Sequence, residues 1–350
     1  MKKVASRNSF RLVTFGMLCL GILVGGVPPV EAAVTIKLAT LAPDGSIWDQ
    51  AVEEMGADWK EATEGRVALK IYPGGIAGDE PDVIRKMRIG QLHAAVLTVN
   101  GLAEIDDGFN VFNIPFFFES YDELFHVTGA LAPLLKQRLE KKGYVFLGWG
   151  HAGWIHLFSK EPIATLAEMK TTKFFLSAGD ARSVQWWKDN GYRPVPLSTT
   201  DILSGLQTGM IEALPSPPLA ALMLQWYRNA PNMLDLGFAP LVGATVVQSR
   251  VWKKVSERDR KQLEAAALRL EDHLKKEVPK QDQSSITEME KRGLKVSRVA
   301  GTPGEKAWKD LAENFAQSVR EGWVPPEILN KALAARDAYR ASQTTGGGDN

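Results

Sequence analysis

Short apolar runs alternate with amphipathic segments along most of the chain. In the first third, the runs 34–39, 67–72 and 94–99 are rich in β-branched residues and predict buried strands. The segments 47–63 and 79–90 lie between these runs, and their apolar residues recur three or four positions apart, which predicts helices. Because strands and helices alternate, we expect a largely parallel sheet with helices on its faces.

The same alternation returns after residue 143 and predicts a second domain of the same class, as the length of 350 residues also suggests. The further predicted strands cover 144–149, 155–158, 173–176, 195–197, 243–251 and 296–299. The further predicted helices cover 120–142, 180–190, 199–208, 256–292 and 304–322. Pro279 is expected to kink or break the longest of them. The polar, Gly-rich residues 343–350 predict a disordered tail.

The N-terminal segment has the pattern of a secretory signal peptide. Four basic residues precede the apolar run 12–26, two prolines follow it, and the sequence Val-Glu-Ala ends at Ala32. The run is shorter than the ~20 residues that cross a bilayer, which makes a membrane anchor the weaker interpretation. Bulky Leu18 before Cys19 argues against a lipoprotein. We therefore predict cleavage near Ala32 and a periplasmic protein that is soluble after cleavage.

Composition and motifs argue against several functions. The 42 Lys and Arg balance 41 Asp and Glu, so we expect no basic face that binds nucleic acid. The single Cys leaves with the signal peptide, which excludes a disulfide framework and a thiol nucleophile. The sequence has no phosphate-binding loop, no nucleophile elbow and no metal-ligand spacing, and we expect neither metal nor cofactor. A periplasmic enzyme, which would need an acid–base set such as His151, Asp180 and Arg182, remains an alternative.

The aromatic residues are unevenly distributed. Five of the ten Trp lie between residues 149 and 227, together with the pair Phe174 and Phe175. Trp149 and Trp154 flank a predicted Gly-His-Ala-Gly turn at the end of a strand, where ligands bind in parallel α/β sheets. Core packing and an aromatic-lined pocket explain this distribution equally well.

Several short motifs, taken in order, resemble a known family. They are V-T-I-K-L-A-T, P-D-G-S, P-G-G-I-A-G-D-E, I-R-K-M-R-I-G-Q-L-H-A-A, I-P-F-F-F, S-K-E-P-I, L-A-E-M-K-T-T-K and L-S-G-L-Q-T-G-M-I-E-A. From about residue 34 to residue 340, this order resembles the DctP-type substrate-binding proteins of the tripartite ATP-independent periplasmic (TRAP) transporters.

The resemblance implies an α/β, two-lobed periplasmic-binding-protein fold of type II-like arrangement. Each lobe would hold a mixed, mostly parallel sheet flanked by helices, and a long helix would span both lobes. We expect 33–150 plus 240–278 to form lobe I and 151–239 plus 279–342 to form lobe II. The implied function is to capture a small-molecule ligand between the lobes and deliver it to the small and large membrane permease subunits, without chemistry. A further periplasmic partner stays open.

The chain departs from the family where the ligand carboxylate is normally bound. Phe175 stands where the family has an Arg, Ser216 stands where an Asn is frequent, and Ile155 or His156 takes the place of a second Arg. An acid buried without a cation would be costly, so we expect a neutral, apolar or amphipathic ligand. The residues expected to hold it are Trp149, Trp154, His156, Phe174, Phe175, Trp186 and Ser216. Alternatively, Arg182, or less favourably Lys173, replaces the missing cation and the ligand is an organic acid.

Overall fold

The computed structural model describes residues 33–346, so the predicted signal peptide and residues 347–350 lie outside the described part of the chain. Eleven strands form two sheets within it. In chain order they are β1 Val34–Thr40, β2 Val67–Tyr72, β3 Ala94–Thr98, β4 Tyr144–Trp154, β5 His156–Ser159, β6 Lys173–Ser177, β7 Arg193–Leu197, β8 Ala213–Ser216, β9 Asn232–Asp235, β10 Pro240–Gln248 and β11 Lys295–Arg298.

The first sheet has the strand order β2-β1-β3-β10-β4 and the second has the order β11-β9-β5-β8-β6-β7. Strand β1 runs parallel to β2 and β3, while β10 runs antiparallel to β3 and β4. In the second sheet β6 runs parallel to β7 and β8, β9 runs parallel to β11, and β5 runs antiparallel to its neighbours. The prediction of an α/β fold with two lobes and mixed sheets is confirmed.

Twelve helices cover these sheets in the described residues. They are α1 Ile47–Ala62, α2 Glu80–Arg88, α3 Val99–Ile105, α4 Tyr121–Lys141, α5 Leu166–Thr171, α6 Ala181–Asp189, α7 Ile202–Thr208, α8 Pro218–Met223, α9 Ser249–Trp252, α10 Glu257–Lys291, α11 Pro303–Gly322 and α12 Pro326–Gly346. Three short 3₁₀ helices add Asp107–Asn113, Thr199–Asp201 and Trp226–Arg228.

Helix α10 spans both lobes, as the family resemblance implies. Its residues from Leu263 to Val278 that face inward pack into the core beneath the first sheet, whereas Met289 packs into the core of the second. The helix continues through Pro279, where the sequence predicts a kink or a break. Tertiary packing on both sides of Pro279 holds the helical conformation, although the ring removes one backbone hydrogen bond. Ser256 begins the helix by accepting a hydrogen bond from the Asp259 N–H at 3.1 Å.

The two sheets are joined by two crossing segments that touch each other. One links β4 to β5 through Ile155, and the other links β9 to β10 through residues 236–239. The Ile155 N–H donates to the Ala239 carbonyl at 2.8 Å, and the Phe238 N–H donates to the Ile155 carbonyl at 2.9 Å. The connection between the sheets is therefore a pair of short hydrogen-bonded segments, supplemented by α10.

Asp282 of α10 holds this crossing point together. Its carboxylate accepts hydrogen bonds from the Trp154 N–H at 3.0 Å, the Leu219 N–H at 3.3 Å and the Tyr121 hydroxyl at 3.3 Å. Burial raises the pKa of Asp282 to about 6. One carboxylate thus connects the end of β4, the start of α8 and the start of α4.

The C-terminal residues return to the first sheet. Helix α12 lies along α4, with Ile328 and Ala332 in the same core as Leu131 and Leu135. The sequence predicts residues 326–342 in lobe II and a disordered tail from residue 343. In the structure, residues 343–346 continue α12. Among residues 33–346, no helix is both long and apolar enough to cross a membrane.

Candidate ligand-binding cavity

A cavity of about 330 Å³ lies between the two sheets. Its wall includes the carboxyl ends of β1 and β3 from the first sheet, at Thr40 and Thr98, and those of β6 and β8 from the second, at Ser177 and Ser216. Ligands bind at this edge of parallel sheets because the strand ends leave loops and helix N-termini free to contact them. The cavity therefore occupies the position expected of a ligand site between two lobes.

The wall is mainly apolar and rich in aromatic rings. The aromatic side chains come from five separate segments: Trp48, Phe175, Trp187, Trp226 and Phe315. The Trp48 indole N–H donates to the His151 carbonyl at 3.0 Å, which fixes the ring at the end of β4. Such rings offer a large contact area to an apolar ligand.

Glu80 is the buried acid in the wall. One carboxylate oxygen accepts from the Thr98 N–H at 2.5 Å, and the other accepts from the Thr98 hydroxyl at 2.7 Å and the Gly101 N–H at 3.0 Å. Burial raises the pKa of Glu80 to about 7, although these hydrogen bonds oppose the shift. The carboxylate occupies the first turn of α3 and satisfies N–H groups that would otherwise be free to bind an anion.

Asp180 is the second acid in the wall and belongs to the other lobe. It caps α6 by accepting from the Ser183 N–H at 3.0 Å. Its neighbour Gly179 lies against Glu104 and against Pro81, which follows Glu80: a Cβ added at Gly179 would clash with the Glu104 carboxylate and sit 3.2 Å from the Pro81 side chain. The two acids therefore flank one contact between the lobes.

His151 lies at the end of β4 and contributes to the wall. Its ring packs against Phe125 and Tyr121, with centroid distances of 5.1 and 6.0 Å. Burial, with a smaller contribution from the charge of Lys275, lowers the pKa of His151 to about 4. The imidazole is therefore neutral at neutral pH. No Lys or Arg lines the cavity in the described part of the chain.

Contacts between the lobes border the cavity. Asp79, at the start of α2, accepts hydrogen bonds from the Ser198 hydroxyl at 3.0 Å and the Thr199 N–H at 2.7 Å. Arg182 of α6 pairs with Asp107 at 3.1 Å. We refer to these two interactions as the lip contacts.

The structure brings two of the expected ligand residues to the cavity. Phe175 and Ser216 both line it, and both come from the second sheet. The Ser216 hydroxyl donates to the Pro217 carbonyl at 2.9 Å. Phe174 lies on the opposite face of β6, because successive side chains of a strand alternate, and packs edge-on against Trp187.

The expected Trp residues pack elsewhere and are not among the residues that line the cavity. Trp149 is buried in the first core, where it makes edge contacts with Phe112 and Phe146. Strand β4 continues past Trp149 to Trp154, so the Gly-His-Ala-Gly segment is not a turn but part of that strand. Trp154 packs edge-on against Tyr121. Trp186 donates its indole N–H to the Ser318 hydroxyl at 3.0 Å and packs against Phe315.

The expected polar residues also lie outside the cavity wall. His156 is buried, and its Nδ1 lies 3.4 Å from the Leu234 carbonyl. Arg182 is half-exposed and takes part in the lip contacts. The Lys173 ammonium donates to the Gly209 carbonyl at 2.5 Å.

Of the set named for the enzyme alternative, His151 and Asp180 line the cavity, whereas Arg182 is paired with Asp107. Residues 33–346 contain no group of three or more side chains suited to a metal ion.

Sequence reasoning missed Glu80, Trp48 and Trp187 as wall residues. Glu80 belongs to the acidic first turn of the predicted helix 79–90. The available signal was a helix start directly after a Gly-rich loop that follows a strand, since such a position lies at the carboxyl edge of the sheet.

Comparisons with known proteins agree with this geometry. The family model described as bacterial extracellular solute-binding protein, family 7, matches residues 38–321. A solute-binding protein of Chromohalobacter salexigens is 26% identical over 220 residues, which span 62% of this chain and 65% of that relative. The sialic acid-binding periplasmic protein SiaP of Vibrio cholerae is 19% identical over 310 residues, spanning 87% of this chain and 96% of SiaP.

A solved structure shows the same fold. DctP7 of Bordetella pertussis, an extracytoplasmic solute receptor that binds pyroglutamic acid, superposes with a TM-score of 0.80 at 20% identity. The superposition covers 87% of this chain and 100% of DctP7. With the family model matching most of the chain, these findings show that it belongs to bacterial extracellular solute-binding protein family 7, the DctP family of TRAP-transporter receptors.

Proposed function

We propose that this receptor binds a neutral, apolar or amphipathic solute in the periplasm and delivers it to the membrane subunits of a TRAP transporter. The observation that carries the proposal is the cavity wall, which is aromatic and apolar and includes no Lys or Arg among the described residues. SiaP binds sialic acid and DctP7 binds pyroglutamic acid, both of which are acids. A carboxylate in this cavity would lie near Glu80 and Asp180 without a cation, which is unfavourable by several kcal/mol.

The alternative of an organic acid held by Arg182 finds less support. The Arg182 guanidinium already pairs with Asp107 and is not part of the wall. The side chain at the position of the family's carboxylate-binding Arg is Phe175, which adds apolar area to the wall instead. The N-terminal turn of α3, which could hold an anion, is filled by the Glu80 carboxylate.

A tryptophan fluorescence titration tests the proposal, since Trp48, Trp187 and Trp226 line the cavity. We expect 1-octanol to change the emission of the purified mature protein in a saturable way, and we expect succinate to leave it unchanged. Ligand extracted from protein purified from its native host and identified by mass spectrometry should be non-acidic. Saturable binding of succinate without binding of octanol would overturn the proposal, and so would an acid as the co-purified ligand.

A further inference from the structure

We propose that the solute carries a protonated primary amine at one end of an apolar body, and that Glu80 and Asp180 receive this amine. The inference rests on the proposed function, because it assumes that the cavity takes a ligand that is not an acid. It adds the chemical class of the ligand's polar end.

The charged side chains that line the cavity, among the described residues, are all acidic. Glu80 and Asp180 line the cavity, whereas Lys and Arg are missing from its lining within residues 33–346. Neither acid forms an ion pair with another described residue. Only 6% of Glu80 is exposed, and its three hydrogen bonds at the start of α3 stabilise the carboxylate without supplying a counter-ion. A cationic ligand would supply that counter-ion.

The hydrogen bonds of the two acids leave room for a donor. The three donors that reach Glu80 leave one acceptor direction on the oxygen that binds the Thr98 N–H. Asp180 uses one oxygen to cap α6. A primary ammonium has three N–H donors, so it can donate to both carboxylates at once, which a quaternary ammonium cannot.

The two acids lie beside one contact between the lobes. Glu80 belongs to the first lobe and Asp180 to the second, and the touching residues Pro81 and Gly179 lie directly beside them in the chain. An ammonium between the acids would therefore contact both lobes at the point where they meet. The apolar body would then extend along Trp48 and Phe175 and the other rings of the wall.

The raised pKa of Glu80 agrees with this arrangement. A nearby cation favours the ionised carboxylate, so the binding of an amine should lower the pKa of Glu80 from about 7 and release protons near neutral pH. The charged neighbour that acts on Glu80 is Asp79, which is also negative and raises the pKa further. Asp180 faces the same cavity from the other lobe.

Isothermal titration of the mature protein with octylamine, 1-octanol and octanoate tests the proposal, because the three ligands share one chain and differ in the charge of the head group. At pH 8 we expect octylamine to bind at least tenfold more tightly than octanol, and octanoate to bind most weakly. We expect Glu80→Gln and Asp180→Asn each to reduce the octylamine-to-octanol affinity ratio at least fivefold. Asn also caps helices, so the second variant keeps the start of α6. The matched control Asp189→Asn, on an exposed acid at the end of α6, should leave the ratio unchanged.

The outcomes separate the two proposals. If octanol binds and octylamine binds no more tightly, or if both variants keep the wild-type ratio, the amine is wrong while the proposed function stands. If octanoate binds most tightly, the proposed function itself is wrong. If none of the three binds, both are wrong.

Discussion

At the scale of single residues, Glu80 makes the free energy of unfolding depend on pH. Its pKa rises from 4.5 to about 7 on folding because the carboxyl is buried. The folded state therefore holds the proton more tightly than the unfolded state, so the stabilising contribution is complete below about pH 4.5 and is lost as the pH rises through about 7.

We expect the free energy of unfolding of the wild type to fall by roughly 1–3 kcal/mol between pH 4.5 and 7.5 through this residue. Glu80→Gln should flatten that part of the profile, measured by urea denaturation at several pH values. Glu54→Gln, on the exposed face of α1, is the control and should reproduce the wild-type slope. An unchanged slope in Glu80→Gln would contradict the prediction.

Phe175 decides the class of ligand in the proposed function. Phe175→Arg would place a guanidinium in the cavity wall, at the position where the family resemblance implies an Arg. We expect octanol affinity to fall about tenfold and saturable succinate binding to appear, because the cation then compensates a carboxylate. Phe175→Met keeps the wall apolar and should not bind succinate. Titration calorimetry checks both variants, and a Phe175→Arg protein that still prefers octanol would refute the prediction.

The sequence predicted a cluster of aromatic residues but not which of them line the cavity. Phe174 and Phe175 are adjacent, and strand alternation sends one to the core and the other to the cavity. The direction of that alternation depends on how β6 pairs with its neighbours, which no local pattern encodes. Trp149 is large enough to fill a core or a pocket, and only the packing against Phe112 and Phe146 decides for the core.

At the scale of elements, segments with a clear period were predicted to within a few residues. The ends of β2 agree with the apolar run 67–72, and α10 agrees with the segment 256–292 to within one residue at each end. The short elements β8, β9 and α8 were missed because they have four to six residues and their sequences are interrupted by prolines or lack a period. Two of these elements, β8 and α8, carry part of the cavity wall.

Gly153 is required by the way β4 meets α10. Its φ is +109°, and a Cβ at this position would lie 2.5 Å from the Asp282 carboxylate. We expect Gly153→Ala to lower the free energy of unfolding by about 2–4 kcal/mol, because it combines backbone strain with a steric clash. Chemical denaturation measures the effect.

Gly191→Ala is the matched control for this variant. Gly191 also has a positive φ of +79°, but nothing lies within 4 Å of its added Cβ. The control should lose only the ~1–2 kcal/mol expected of a left-handed conformation. Equal losses in the two variants would show that Asp282 does not constrain the position.

At the scale of the whole molecule, the lip contacts connect the lobes beside the cavity. We expect Ser198→Ala, which removes a hydrogen bond to Asp79, to weaken ligand binding about two- to tenfold by destabilising the contact between the lobes. Ser204→Ala, on the exposed face of α7, should leave the affinity unchanged. Titration calorimetry with octylamine measures the affinity of both variants. Equal affinity in the two variants would exclude a role of the Ser198–Asp79 contact in binding.

The whole-molecule architecture was predictable, whereas the site was predictable only in part. The order of strands and helices and the family resemblance indicated two lobes with a cleft, and the structure has this arrangement. Glu80 and Asp180 come from different lobes and lie 100 positions apart in the chain. Their place in the wall of one cavity depends on how the lobes meet, which is a property of tertiary structure that sequence spacing does not carry.

The three hydrogen bonds of Asp282 give the molecule a pivot. Donors from β4, α4 and α8 converge on one carboxylate beside the crossing strands. A rotation of the lobes about an axis close to this point would displace the cleft edge by a long lever arm and would hardly change the length of these three bonds. The energetic resistance to such an opening would then concentrate at the lip contacts, where Asp79 and Asp107 would lose their partners. Substitutions at the lip contacts would then tune the rate of ligand exit and leave the axis of rotation in place.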